Sequence, residues 1–277
     1  MAWKTVTTFV TDRELDLPAL TAAGALAGQM DAALDVLCLG IDLTQPEVYY
    51  TGAQALTLPG SMEEAGRQAH ETEVVVRDSL AQSDLRWTVA SAATPAVGIQ
   101  ATVGDAARFS DVVVAALPYG PGRNGAAVQV VEAALFGAGV PVLVVPGELP
   151  AKFGRVMLAW NESPEGLRAV RSAMPILKQA DQVEIVLVDP PRHGPDRSDP
   201  GGRLAQMLSR HGIHADIRLL TRNLPTTSEV LAQHISDYGA DLVVMGAYGH
   251  SRLREAILGG ATRDMLENAK VPLLLAH

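Results

Sequence analysis

Cysteine occurs once in these 277 residues, at position 38. A single cysteine excludes an internal disulfide framework and a thiolate metal cluster. Its setting, Val36-Leu37-Cys38-Leu39, is apolar, so a buried core role is expected rather than redox chemistry. Aromatic residues are scarce at 4%, and charged residues reach only 19% against 48% hydrophobic. That balance excludes a disordered chain, which needs high charge and low hydrophobicity. No apolar run approaches the ~20 residues of a bilayer span. The N-terminus, Met1-Ala2-Trp3-Lys4-Thr5-Val6, lacks the charged-then-apolar pattern of a signal peptide, and the cytoplasm is the expected location. Basic residues are outnumbered, 22 Lys and Arg against 31 Asp and Glu, for a net charge of −9. Such a chain repels nucleic acid and anionic membranes, so neither is an expected partner.

What is abundant is Ala, Val, Leu and Gly, the material of parallel sheets under alanine-rich helices. The length suggests two domains at roughly 100–200 residues each. In the second half, strand-length apolar runs alternate with helix-length segments. Strands are expected at Val156–Trp160, Val183–Val188, His214–Leu220, Asp241–Met245 and Val271–Ala276. Helices are expected from Ser163-Pro164 to Gln179, at Arg203–Arg210, Thr227–Tyr238 and Ala261–Ala269. Strands separated by helix-length connections predict a parallel sheet with helices on both faces.

The first half repeats the order, with strands expected at Val6–Val10, Val36–Leu39, Leu85–Ala90, Val112–Ala116 and Val140–Val145. Asp111-Val112-Val113-Val114 matches Asp241-Leu242-Val243-Val244, and Val140-Pro141-Val142-Leu143-Val144 matches Val271-Pro272-Leu273-Leu274-Leu275. In each pair the "VP" is expected to open the strand, where proline is tolerated. The spacing of about 130 residues is a domain duplication, since solenoid repeats recur every 20–50 residues. The expected division is 1–146, a linker at 147–152, and 153–277.

The chemistry concentrates in Gly246-Ala247-Tyr248-Gly249, the nine residues His250–Leu258, and Gly259-Gly260-Ala261-Thr262. This stretch joins a strand to a helix. There, free N–H groups and the helix dipole favour an anion, and glycine lets backbone approach it. Arg252, Arg254 and Arg263 make it locally cationic in an acidic chain. No Gly-Lys-Ser/Thr is present, so it is not a Walker loop.

The three glycines Gly246, Gly249 and Gly259, with their two- and nine-residue spacings, resemble the nucleotide-binding motif of the universal stress protein family. The resemblance covers 153–277 well and 1–146 more weakly, so the chain looks like a tandem member. It implies two Rossmann-like domains, each an open five-stranded parallel sheet of order 3-2-1-4-5. It further implies a stress-response regulator that binds ATP or a similar adenine nucleotide, with or without Mg, and has an unidentified protein partner. By this resemblance Asn161 and backbone near Val188 meet the nucleoside. Gly246 and Gly249 follow the ribose and phosphates, and Gly259, Gly260 and Ala261 offer N–H groups to the phosphates. Two departures stand out. Asn161 replaces the family's usual Asp, and Gly260 replaces a Ser or Thr whose hydroxyl would bind phosphate. Thr262 is the nearby hydroxyl that either substitutes or caps the helix.

In the first half the matching positions fall on Val128 and Gln129, so that domain is expected to carry no nucleotide and to serve in pairing. Family members pair through their last strands. Here Val140–Val145 beside Val271–Ala276 would meet that need within one chain, and further homodimerisation stays open. No metal site is expected, because Gly212 separates His211 from His214. No catalytic residues are expected either, and any ATP hydrolysis should be slow and incidental. Two other readings stay open: a nucleotide-free interaction module of the same fold, and an ATP-using ligase. The ligase reading lacks its Ser-Gly-Gly loop at Asn161-Glu162-Ser163-Pro164.

Overall fold

The computed structural model describes residues 2–43, 60–190, 199–247 and 260–277. It falls into two compact units, Lys4–Val140 and Pro141–His277, the latter together with the first three residues. No helix among the described residues is long and apolar enough to cross a membrane.

The first unit runs β1 (Thr5–Val10), α1 (Leu17–Met30), β2 (Ala33–Asp42), α2 (Ser61–Leu80), β3 (Trp87–Pro95), α3 (Ile99–Ala107), β4 (Val112–Ala116) and α4 (Gly125–Glu132). A π-helical turn, Ala133–Ala138, continues α4. Its strands are parallel in the order β3-β2-β1-β4. A Cβ built on Gly104 of α3 would stand 3.6 Å from the Gly137 carbonyl carbon of the π turn, an ordinary contact distance.

The second unit runs β5 (Val142–Val145), β6 (Arg155–Ala159), α5 (Pro164–Ser172), α6 (Met174–Leu177), β7 (Gln182–Val188), α7 (Gly202–Arg210), β8 (Asp216–Leu220), α8 (Thr227–Tyr238), β9 (Leu242–Gly246), α9 (Ala261–Asn268) and β10 (Leu273–Ala276). Its parallel strands follow the order β8-β7-β6-β9-β10. This is the expected five-stranded arrangement. The fifth strand of the first half, β5, is counted in this unit because it pairs antiparallel with β10, Leu274 opposite Leu143. That is the expected pairing of Val140–Val145 with Val271–Ala276. The division into units accordingly falls at Val140/Pro141, ahead of the proline-rich stretch 146–152.

The elements follow from local chemistry. Ser163 caps α5, its Oγ accepting from Gly166 N–H, and Pro164 occupies the first helical position. Thr226 and Glu229 form a reciprocal capping box on α8, which Gly239 closes in a left-handed conformation. Val112–Val114, Val142–Val145, Leu242–Val244 and Leu273–Leu275 are buried throughout, as strands covered on both faces must be.

Two expectations are corrected. The helix expected from Ser163 to Gln179 breaks at Ala173 into α5 and α6, with Pro175 in the first turn of α6, because proline has no N–H to donate. Each "VP" proline precedes its strand rather than opening it, although the Pro272 carbonyl still accepts from Val243 N–H.

Cys38 is fully buried, and burial pushes its thiol up to about 12, as expected of a core residue. Among the described residues two carboxylates are buried, Asp16 and Glu184. Glu184 on β7 binds His234 of α8 (2.6 Å) and Arg218 of β8 (3.1 Å), and His234 stacks on Tyr238. This cluster fastens α8 to the sheet.

Candidate functional site

In the second unit the strand order reverses at β6, which has β7 on one side and β9 on the other. Crossovers leave in opposite directions there, opening a crevice at the C-terminal strand ends, where α/β folds bind ligands. The register brings three expected residues to that end. Ala159 lies opposite Val186 and Met245, so Asn161 and Gly246 lie just beyond the end of β6, and Val188 closes β7. The start of α9, with Gly260, Ala261 and Thr262, leads back from the same end of the sheet by topology. Gly249 and Gly259 lie outside the described residues, as do His250, Arg252 and Arg254.

Gly246 has a specific steric reason to be glycine. A Cβ there would stand 2.5 Å from Gly166 N and 2.8 Å from the carbonyl carbon of Glu165. Helix α5 thus begins directly against the end of β9, and only a residue without a side chain permits it. Asn161 is exposed, and its Oδ1 accepts from Ser163 N–H at 3.2 Å. That bond helps turn the chain into α5. Val188 is half-buried opposite Leu220, and the next residue, Asp189, turns into a left-handed conformation.

Gly260 is the N-cap of α9, in extended backbone, and among the described residues it has no side-chain cap and a Cβ there would meet nothing within 4 Å. Thr262 stands at the second helical position, so it does not take the N-cap place. Asp264 in the first turn accepts from Ser228 Oγ at 3.0 Å. A hollow of about 440 Å³ opens beside the start of α5, walled by Trp160, Pro164, Leu167, Leu204 and Met207. No group of three or more His, Cys, Asp or Glu able to hold a metal occurs among the described residues.

The first unit has the equivalent crevice between β1 and β4, and its own side chains fill it. Arg123, from the stretch between β4 and α4, donates to Asp16 and to the Leu15 carbonyl; both side chains of the pair are 9% exposed. Asp16 also accepts from Thr11 N–H and Oγ1 and from Asp12 N–H, at 2.8 to 3.1 Å. Gly120 and Gly122 hold positive φ, +131° and +77°, so they serve the turn that carries Arg123 inward. Asn124 caps α4, accepting from Ala126 N–H at 3.0 Å. Val128 and Gln129 lie inside α4. Sequence reasoning missed the Arg123–Asp16 pair. Its one signal was an arginine inside a glycine-proline turn.

Residues 152–277 match the universal stress protein family. Universal stress protein Slr1230 of Synechocystis is 26% identical over 135 residues, 48% of this chain and 46% of that relative. The match thus spans about half the length of each. A universal stress protein from Archaeoglobus fulgidus superposes with a TM-score of 0.71 at 16% identity, over 98% of this chain and 95% of that one. A Pseudomonas aeruginosa protein of unknown function gives 0.60 at 13% identity, over 99% and 92%. At these identities the structural likeness is one of fold.

Proposed function

We propose, from the match of residues 152–277 to the universal stress protein family, that this part of the chain binds an adenine nucleotide and that the protein acts as a stress-response regulator rather than a catalyst. The observation that carries the reading is the start of α9. Helix N-termini present unsatisfied N–H groups and a positive dipole end. At α4 a side chain takes up that capacity. At α9 the N-cap is a glycine that, among the described residues, has no side-chain cap and nothing within 4 Å of where a Cβ would stand. Gly260, Ala261 and Thr262 then serve the phosphates. Gly246, with Gly249 and Gly259 from the motif, follows the ribose and phosphates. Asn161 and Val188 border the nucleoside, and the hollow beside Trp160 suits a flat base. The proposed domain division stays 1–146 and 153–277.

Titration calorimetry of the purified chain with ATP and ADP tests the reading, alongside mass spectrometry of small molecules released on denaturation. Heat of binding or a co-purified nucleotide is expected. The reading fails if millimolar nucleotide gives no heat and none co-purifies. Steady turnover near 1 s⁻¹, an ordinary enzyme rate, would overturn the regulatory role. The alternative, an interaction module without nucleotide, draws on Asn161, which carries no charge and whose Oδ1 accepts from Ser163 N–H.

A further inference from the structure

Strand β3 ends the strand order in the first unit and β8 ends it in the second. A sheet edge leaves a row of unpaired N–H and C=O groups, which proteins usually blunt. The β3 edge is blunted. Arg86 turns its carbonyl to Leu34 of β2, so by alternation Val89 turns its own outward. There the Arg77 guanidinium of α2 donates to it. The β8 edge is bare. Leu220 turns its carbonyl to Asp189, just past β7. By the same alternation Asp216 and Arg218 turn their backbone groups to β7, and Ile217 and Leu219 turn theirs outward. Among the described residues those outward groups have no hydrogen-bond partner. The side chains of Ile217 and Leu219 are also exposed, at 38% and 53%. An open edge with large apolar side chains is a template for another strand.

We propose that β8 pairs with β8 of a second copy of this chain, antiparallel and centred on Ile217. The inference is independent of the nucleotide reading. Outward residues must face outward residues across the new pair, which puts the two-fold centre on a residue rather than between two. Charge then selects the register. A centre on Asp216 or on Arg218 sets like charges directly opposite, which is destabilising. A centre on Leu219 sets Arg218 against leucine. A centre on Ile217 sets Asp216 opposite the partner's Arg218, twice by symmetry. These are non-hydrogen-bonded positions, where opposed side chains lie closest. Both side chains are available. Asp216 is exposed beside His214 (3.5 Å), and Arg218 reaches Glu184 through Nε alone (3.1 Å), leaving the other donors of its guanidinium. On the opposite face Ile217 meets the partner's Ile217, and Leu219 meets the partner's Ala215. A pair this short buries less than the roughly 1,200 Å² of a lasting interface, so the association is reversible, in the micromolar range.

Sedimentation velocity of the full chain, from about 1 μM to about 1 mM, tests the proposal. Wild type should dimerise reversibly. Asp216→Arg should weaken the dimer about tenfold, because both symmetric pairs turn from attractive to repulsive. Arg218→Asp should do the same. An equimolar mixture of the two variants should associate as tightly as wild type, since each chain then carries the charges the other lacks. A variant that was merely destabilised would not recover in this way. Hydrogen exchange reads the same edge without substitution. The amides of Ile217 and Leu219 should slow as wild-type concentration rises, and that of Arg218, already turned to β7, should not change. The proposal is overturned if wild type stays monomeric at about 1 mM or if Asp216→Arg dimerises as well as wild type. Exchange at Ile217 and Leu219 that ignores concentration also overturns it. So does a mixture of folded variants that associates no better than either alone. Should Arg218→Asp fail to fold, Asp216→Arg and the exchange rates decide.

Discussion

Six residues join β1 to α1 in the first unit and eight join β4 to α4. In the second unit four join β6 to α5, and fourteen separate β9 from α9. The same strand order is thus finished in two ways. The longer β1 connection brings Asp16 to the crevice, and the short β4 connection delivers Arg123 onto it. In the second unit α5 starts early and lies against Gly246, and the buried ion cluster of Glu184 sits under α8 instead. Among the described residues one crevice is satisfied from within, and the other has a helix start without a side-chain cap and a carboxylate oxygen, of Glu165, without a partner.

The largest effect should come from breaking the first crevice. Arg123→Met leaves Asp16 buried without its cation, and removing one partner of a buried pair costs roughly 3–5 kcal/mol. The three remaining donors to Asp16 put the expected loss at the lower end. Urea unfolding would show it as a lower midpoint, with nucleotide titration of the second unit unchanged. An unshifted midpoint would mean that the pair does not hold the first crevice together.

Gly246→Ala comes next. A methyl group driven into the backbone of α5 should cost about 1–3 kcal/mol, the range for overpacking. It should also weaken nucleotide binding by tilting α5. The matching strand end in the first unit is already alanine, Ala116, and Ala116→Gly should cost only about 0.5–1 kcal/mol. Comparable losses in the two variants would show that α5 does not depend on close approach at Gly246.

Asn124→Ala removes the cap of α4 and should lower stability by about 1 kcal/mol, read from the same unfolding curves. No cap is lost when Gly260 is replaced, so the two helix starts should respond with opposite sign.

Much of this molecule could be read from local pattern. Strand-length valine runs, Ser163-Pro164, the Thr226/Glu229 box and Gly239 each mark an element through chemistry confined to a few neighbours. Gly246, Asn161 and Val188 could be placed because strand ends in a parallel sheet converge by topology. Legibility stopped where a role depends on approach between distant segments. Asp16 and Arg123 are 107 residues apart in sequence, and nothing local marks either as the other's partner. Gly246 looked like a phosphate glycine, yet its immediate constraint is the backbone of α5. Glu165 looked like an ordinary first-turn acid until one of its oxygens proved buried.

The smallest effect on stability is expected from Gly260→Ser, and it is the most direct test of the contrast between the two helix starts. The N-cap already has extended backbone, φ −76° and ψ 158°, and space for a side chain. Serine therefore fits without strain, and its hydroxyl can accept from the first turn as Asn124 does in α4. The gain over glycine at an N-cap is only a few tenths of a kcal/mol. Its consequence for binding divides two accounts. If phosphate occupies the helix start, the hydroxyl donates to it and affinity rises by up to about tenfold, as for a hydrogen bond to a charged group. If the helix start binds nothing, the hydroxyl only caps it, and calorimetry with ATP will not distinguish the variant from wild type.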